Sequence, residues 1–309
     1  MTIKNNIREY AIVIFFILLF TLFSIIAKGF LSMTNLINVA RQISLLGIVS
    51  VGMTVVILTG GIDLSVGSIL GMSATLAAFS MVKLGLGMVP SVLISLVAAG
   101  VVGLSNGILI TKANIPPLIT TLATMTGIRG VCYIITKGIP IYGFKQEFSV
   151  LGQGYIGPIP IPVVLMILVF FLGFIVLNKM SFGRHVYGIG GNEEAAILSG
   201  IPVNKKKLII YSASGILAGF AGIILLSRIM TGAPTLGSGF EMEVVTAVVL
   251  GGISISGGEG KLRGVIFGVM IMGILSNGLI ILSVDEYYQW IIRCVVLLLA
   301  VGFDKNGKK

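Results

Sequence analysis

Long apolar runs separated by short polar connections recur from one end of the chain to the other. Taking about 17–25 residues as the length that crosses a bilayer, ten runs emerge, at roughly 10–27, 43–59, 64–82, 89–111, 118–136, 161–178, 208–226, 242–256, 264–283 and 286–303. The eighth run is short. The second and third are separated only by the stretch TGGID, residues 59–63, which puts a carboxylate between two greasy segments. No polar stretch exceeds about thirty residues, too short for an independent core. The pattern therefore predicts an all-α polytopic membrane protein of about ten transmembrane helices, some short or broken, forming a single transmembrane domain over residues 1–309.

Two connections stand out by length. Residues 137–160, KGIPIYGFKQEFSVLGQGYIGPIP, are rich in Gly and Pro and read as a shaped loop. Residues 179–207, KMSFGRHVYGIGGNEEAAILSGIPVNKKK, are basic at both ends. If the N-terminus is cytoplasmic, the connections on its side hold thirteen Lys and Arg and those on the other side six. The positive-inside rule then places both termini and the 179–207 loop in the cytoplasm. No A-x-A-like cleavage site follows the first apolar run, so a retained first helix is expected.

A faint internal echo accompanies this layout. MTVVILTGGIDLSVGSILG (53–71) resembles VTAVVLGGISISGGEGKLRGVIFG (245–268): an apolar run, Gly-Gly-Ile, a hydroxyl residue, then a return run opening on glycines. Repeats with broken helices at matching positions are common among transporters.

Composition agrees with the pattern. The chain is 56% hydrophobic and 10% charged, with a mean hydropathy of +1.09, whereas soluble domains are about 25% charged. Its 42 glycines suit closely approaching membrane helices, and GxxxG spacings occur at Gly67/Gly71, Gly103/Gly107, Gly215/Gly219 and Gly264/Gly268. The net charge of +10 lies between the apolar runs, where it orients helices, and does not point to nucleic acid. Cys132 and Cys294 both fall in apolar segments and read as packing residues rather than a disulfide.

Catalytic chemistry finds little support. His185, the only histidine, sits beside Arg184 in the basic loop, which argues against a catalytic triad or a histidine metal site. SGGEGKL at 256–262 fails as a phosphate loop, because Ile255 stands where a Gly is needed and Leu262 where Ser or Thr is needed. GIGGNE at 188–193 ends on Glu193 and misses G-x-G-x-x-G. An ion-coupled secondary transporter would need ionisable groups at membrane depth. Of Asp63, Arg129, Glu241, Glu243 and Arg293, the acids lie near run ends and only the two arginines sit well within runs, where they would snorkel or pair with carbonyls.

Within the 179–207 loop, Asn192 is placed to cap a helix whose first turn carries Glu193 and Glu194, favourable at the positive end of its dipole. Gly200 and Pro202 stop it. The expected helix has about two turns and a small apolar surface of Ala195, Ile197, Leu198 and Ile201. So short a helix is marginal alone in water and must dock, on its own bundle or on a partner subunit.

GMTVVILTGGIDLSVGS, GGNEEAAILSGIPVNKKK, AVVLGGISISGGEGKLRG and YYQWIIRCVVLLLAVGFD together resemble the membrane permease subunits of bacterial ABC sugar importers, of the ribose, xylose and arabinose type, from about Asn35 to Asp304. The resemblance implies a multi-pass protein of the bacterial inner (plasma) membrane. Its partners would be a second permease copy, a cytoplasmic ABC ATPase that uses ATP and Mg, and a periplasmic or lipid-anchored sugar-binding protein. This chain would bind no cofactor and hold no metal. Glu194-Ala195-Ala196 with Gly200 matches the family's EAA-x-x-x-G pattern, so Asn192, Glu193, Glu194, Ala195, Ala196 and Gly200 become ATPase-coupling candidates. The expected substrate is ribose or a related pentose; a hexose, a sugar alcohol or a furanose autoinducer are the alternatives within the family.

The opening carboxylate then has three readings. Gly60 and Gly61 allow a tight turn at the cytoplasmic end of two spans, and Asp63 and Ser65 are placed to cap the third helix. These four residues are also candidates for the translocation path or its gate, or for a contact with the ATPase. On the outer side, Glu147, Glu241 and Glu243 are candidates for docking the binding protein, or are simply solvated loop charges.

Overall fold

The computed structural model describes residues 2–306, with no side-chain detail for residues 1–11, 300–301 and 303–309. The basic residues Lys4, Arg8, Lys305, Lys308 and Lys309, which the orientation count assigns to the termini, lie outside the described side chains. The described residues form thirteen α-helices and one two-stranded hairpin. They are α1 (Thr2–Ile26), α2 (Met33–Leu58), α3 (Val66–Val82), α4 (Met88–Lys112), α5 (Pro117–Thr136), α6 (Val150–Gln153), α7 (Ile161–Lys179), α8 (Ser181–Gly191), α9 (Glu193–Leu198), α10 (Val203–Ile229), α11 (Phe240–Leu250), α12 (Leu262–Ile281) and α13 (Glu286–Asn306), with β1 (Tyr155–Ile156) paired antiparallel to β2 (Ile159–Pro160). Six helices, α2, α4, α5, α7, α10 and α12, are long and apolar enough to cross a membrane; Ile12–Ile26 and α3 are shorter apolar helices.

Burial sorts these helices into a centre and a rim. The most apolar stretch of α2 is 83% buried and that of α7 only 11%. α2 is thus the central post, packed by α10, α12, α7 and α11, and α5 and α7 expose most of their apolar surface. α2 begins ten residues before the apolar run that announced it. Ser32 caps it by accepting from the Asn35 amide, and its polar first turns find internal partners. Asn35 and Asn277 of α12 exchange amide hydrogen bonds of 3.0 and 2.9 Å, and Arg41 donates to the Gln153 carbonyl at 2.8 Å. A helix continues through polar residues when such partners exist, so hydropathy alone underestimates its length.

Two of the GxxxG pairs meet each other where α4 crosses α10. A β-carbon at Gly103 would run into the Tyr211 carbonyl, one at Gly107 would press on Leu208, and ones at Gly215 and Gly219 would overlap Ala99. The small residues allow backbone-to-backbone approach, which is the packing that apolar solvent leaves available to membrane helices. Cys132 is buried and Cys294 exposed, and both are free thiols.

The shortest helix in the bundle's centre is also the most informative. α11 has 11 residues, about 16 Å at 1.5 Å per residue, roughly half of a bilayer's hydrocarbon core. It starts deep because the chain does not stay at the surface after α10. Met230 takes a left-handed conformation (φ 51°), and residues 231–239 then descend alongside α3. Gly232 bridges to Ile141, Thr75 reaches the Ala233 carbonyl at 3.4 Å, and Gly237 packs directly on Gly67. Arg129 of α5 fastens this descent by donating to the carbonyls of Pro234 (2.8 Å) and Leu236 (2.6 Å). The eighth apolar run, 242–256, is therefore preceded by irregular chain rather than by a helix, is helical only as far as Leu250, and breaks within itself at Gly251–Gly252.

Candidate functional site

Three glycine segments converge at the end of the bundle that carries α8 and α9. The first is the turn after α2, where Gly60 (φ 78°) reverses the chain and the Gly61 amide returns to the Val56 carbonyl at 3.2 Å. The second is the end of α8, Gly188–Gly191. The third is Gly257–Gly258, after the break that follows α11. The Gly258 amide donates to the Leu58 carbonyl at 2.9 Å, and a β-carbon at Gly190 would collide with both groups. Tyr187 of α8 adds a hydrogen bond of 3.0 Å to the Gly260 carbonyl. Burial pushes the Tyr187 phenol above its ordinary pKa, so it keeps its proton as a donor. The two echoing Gly-Gly-Ile segments thus both follow a helix end, both hold a glycine at positive φ (Gly60, Gly252), and both touch α8 or its neighbours.

α8 itself has no counterpart in the sequence reading, which placed only the short helix after Asn192 within the 179–207 connection. The missed signal was periodic: Phe182, Val186 and Ile189 recur at helical spacing, and the last two are fully buried. α9 follows with its cap as expected, Asn192 Oδ1 accepting from the Ala195 amide at 2.9 Å. It spans six residues, close to the two turns expected; of the expected apolar surface Ala195, Ile197 and Leu198 are exposed, and the inward residue is Ala196. Ala196 packs with Ile189, Val203 and Ile201, so Ile201 belongs to the inner side. Glu193 pairs with Lys207 at 2.7 Å, and Glu194 and Ala195 face outward. Ile197 is 56% and Leu198 89% exposed. The helix is thus held from behind and bare in front. Gly60, Gly61, Gly190, Asn192, Lys207 and Tyr211 line a cavity of about 360 Å³ between it and the α2–α3 turn.

Asp63 does not stay at this end. After the glycine turn the chain climbs back inside the bundle, and Asp63 is fully buried. Its Oδ1 accepts from the Ser65 amide (3.1 Å) and hydroxyl (2.5 Å), and its Oδ2 from the Ser214 hydroxyl (3.0 Å). Asn106 donates to Ser65 at 2.9 Å and accepts from Thr124 at 2.6 Å. One hydrogen-bonded chain therefore joins α3, α4, α5 and α10. Asn106 lies six residues before the end of α4, about 9 Å of helix, and Ser214 eleven residues into α10, about 16 Å. The surface position expected for this carboxylate is corrected: only the turn is at the edge, and the acid is a polar break within the bundle. Of the two expected caps, Asp63 does accept an amide at the start of α3, whereas Ser65 makes no side-chain cap. No ion pair to Asp63 exists among the described residues; hydroxyl and amide donors satisfy it.

At the opposite end the outer acids separate. Glu147 is exposed on the 137–160 loop. Glu241 and Glu243 are not loop charges, because the descent of residues 231–239 carries them into the bundle. Glu241 is 8% exposed, against Gly67 and Gly237, and Glu243 forms an ion pair with Arg293 of α13. The partners Ser214, Asn106, Thr124 and Arg293 lie 18 to 151 residues away from the groups they serve, and no local pattern announces them. No grouping of His, Cys, Asp or Glu able to hold a metal ion occurs among the described residues.

The family model described as "Branched-chain amino acid transport system / permease component" matches residues 35–301. The chain is 44% identical over 285 residues to the ribose import permease protein of Bacillus subtilis (strain 168), covering 92% of this chain and 88% of that protein. It is 40% identical over 307 residues to the ribose import permease protein of Escherichia coli (strain K12), covering 98% and 95%. It is 32% identical over 367 residues to the xylose transport system permease protein of Haemophilus influenzae, covering 98% of each. No solved structure matches the chain.

Proposed function

The chain belongs to this permease family, and we infer from that membership that it is the membrane-spanning permease subunit of an ATP-binding-cassette importer for a monosaccharide, ribose or a related pentose. It is a multi-pass protein of the bacterial inner (plasma) membrane and a translocation subunit rather than an enzyme. The observation that carries the reading is identity of 40–44% to ribose import permeases over nearly the whole chain. The family description mentions branched-chain amino acids, but these relatives are named for pentoses.

The finer points go with the same reading. Ten segments cross the membrane, α1, α2, α3, α4, α5, α7, α10, α12, α13 and the composite of residues 231–250, with both termini cytoplasmic. The α9 end then faces the cytoplasm, and the exposed Glu194, Ile197 and Leu198 seat in a separate ABC ATPase, which supplies ATP hydrolysis. Because α8 is stitched to both glycine breaks and α9 packs on α8, a push on α9 reaches the turns that begin α3 and α12. Two copies work as a homodimer, and a periplasmic or lipid-anchored sugar-binding protein delivers substrate to the other face, where Glu147 is the one exposed acid of the three expected there. Hydrolysis cannot bias the pathway unless the ATPase has different affinities for its two states, and α9 is the contact through which that difference is felt.

Reconstituted vesicles test this. Uptake of ribose against its gradient is expected only with this chain, the ATPase and the binding protein together, and an ionophore that leaves ATP intact should not stop it. Accumulation by this chain alone, abolished by the ionophore, would establish the ion-coupled alternative instead.

A further inference from the structure

Three cations gather without a counter-charge at one corner of the α8–α9 end of the bundle. Lys179 closes α7, Arg184 lies in the first turn of α8 and Arg263 in the first turn of α12, and none of these three helices contains an Asp or Glu. Their ends adjoin. A β-carbon at Gly183 would overlap the Leu177 carbonyl, so α8 folds back on the last turn of α7, and one at Gly173 of α7 would press on Leu262 at the start of α12. Tyr187 of α8 reaches the Gly260 carbonyl just before α12.

All three cations are exposed, and none has a hydrogen-bond or ion-pair partner among the described residues. Glu259, also exposed, is the one acid in the connection that leads into α12. Arg184 and Arg263 stand at helix N-termini, where the dipole disfavours positive charge, so helix stability does not account for them. The positive-inside rule asks for cations near span ends but not for three from separate helices at one corner.

The surface that runs from these cations into the bundle is apolar. Leu168 and Leu172 share the stripe of α7 that ends on Lys179, and Ile266 follows Arg263 by one turn of α12; all three side chains are 40–51% exposed. Met180, at the corner between α7 and α8, is 50% exposed. A soluble anion would engage the cations and leave this surface bare.

We propose that the corner between α7, α8 and α12 is a binding site for an anionic glycerophospholipid. The two guanidiniums and the ammonium hold the phosphodiester of the headgroup, a group whose oxygens arginine binds in bidentate fashion. The acyl chains lie along the exposed stripe of α7 and against Ile266. Basic pockets between spans are a recurring place for such headgroups. A lipid seated there ties α8 to the start of α12, the corner through which α9 acts in the importer reading. The site itself requires only that the chain span a membrane, so its failure leaves that reading untouched.

Quenching by brominated lipids tests the site in the full chain reconstituted into vesicles. The single tryptophan is removed by Trp290→Phe, and Leu172→Trp places a reporter beside the corner. Leu104→Trp, on an exposed part of α4, is the control at similar depth from the same end. Basic segments gain about fivefold in affinity per cation at anionic membranes. Phosphatidylglycerol with brominated chains should therefore outcompete phosphatidylcholine at position 172 by up to roughly a hundredfold, with little preference at position 104. Replacing Lys179, Arg184 and Arg263 together by Gln should abolish the preference, whereas Lys179→Arg, Arg184→Lys and Arg263→Lys together should keep it. Inorganic phosphate should not remove it. Equal preference at both reporters, a preference that survives the Gln variant, or its loss to inorganic phosphate would overturn the lipid site. So would the absence of quenching at position 172 by either lipid, which would show that protein, such as a second copy, covers this face.

Discussion

Asp63 shows how a single acid is accommodated where water is absent. Its two oxygens take three hydrogen bonds from Ser65 and Ser214, and truncation would strand those donors inside the bundle. Each buried orphan costs about 1–3 kcal/mol, so Asp63→Ala should lower the thermal unfolding midpoint of the purified protein well beyond Asp63→Asn, which keeps an acceptor oxygen. Equal midpoints for the two variants would show that the network contributes nothing. At Gly190 the constraint is steric: a methyl group would occupy the space of the Leu58 carbonyl and the Gly258 amide. Gly190→Ala should separate α8 from the α2 turn and lower the unfolding midpoint, whereas Gly191→Ala, where a β-carbon meets nothing within 4 Å, should be tolerated. Differential scanning fluorimetry in detergent compares the pair directly.

At the scale of the element, α9 has a clean test because its outer and inner sides differ so sharply. Leu198 is 89% exposed, so substitution there removes little buried surface. Leu198→Asp should therefore leave the unfolding midpoint of the isolated permease unchanged while abolishing co-purification of the ATPase. Ala196, buried against Ile189 and Val203, should behave oppositely, with Ala196→Asp destabilising the chain by introducing a buried charge. Loss of the Asn192 cap costs about 1 kcal/mol in typical helices, which a six-residue helix can ill sustain. Asn192→Ala is thus expected to weaken ATPase binding in pull-down assays even though residue 192 need not touch the partner.

At the scale of the molecule, the burial gradient from α2 to α7 describes a bundle with a post at its centre and helices with exposed apolar faces at its rim. The two glycine breaks reach the same end of that bundle, and the descent of residues 231–239 enters from the other. Orientation across the bilayer is checked by impermeant labelling of intact cells. Tyr142→Cys should react from outside, and Leu198→Cys should react only after the membrane is permeabilised. The reverse pattern would invert the protein and detach α9 from any cytoplasmic motor.

The sequence by itself determined the class, the membrane setting, the approximate spans and the capped helix at Asn192, because each of these follows from short-range physics. Apolar runs of bilayer length partition into lipid, and a cap needs only its own next few residues. The family resemblance was legible for the same reason, being carried by contiguous motifs. Tertiary structure alone decided where the polar groups went. Hydropathy places Asp63, Glu241 and Glu243 at span ends, yet the chain turns back after Gly61 and descends after Met230, carrying all three into the interior. Likewise Gln42 of α2, Arg228 of α10 and Ser276 of α12 line one cavity only because helices far apart in sequence meet at one level. A one-dimensional pattern records how far a segment can reach but not how deep a break re-enters, since depth is set by the partners that satisfy its backbone, and those partners come from other helices.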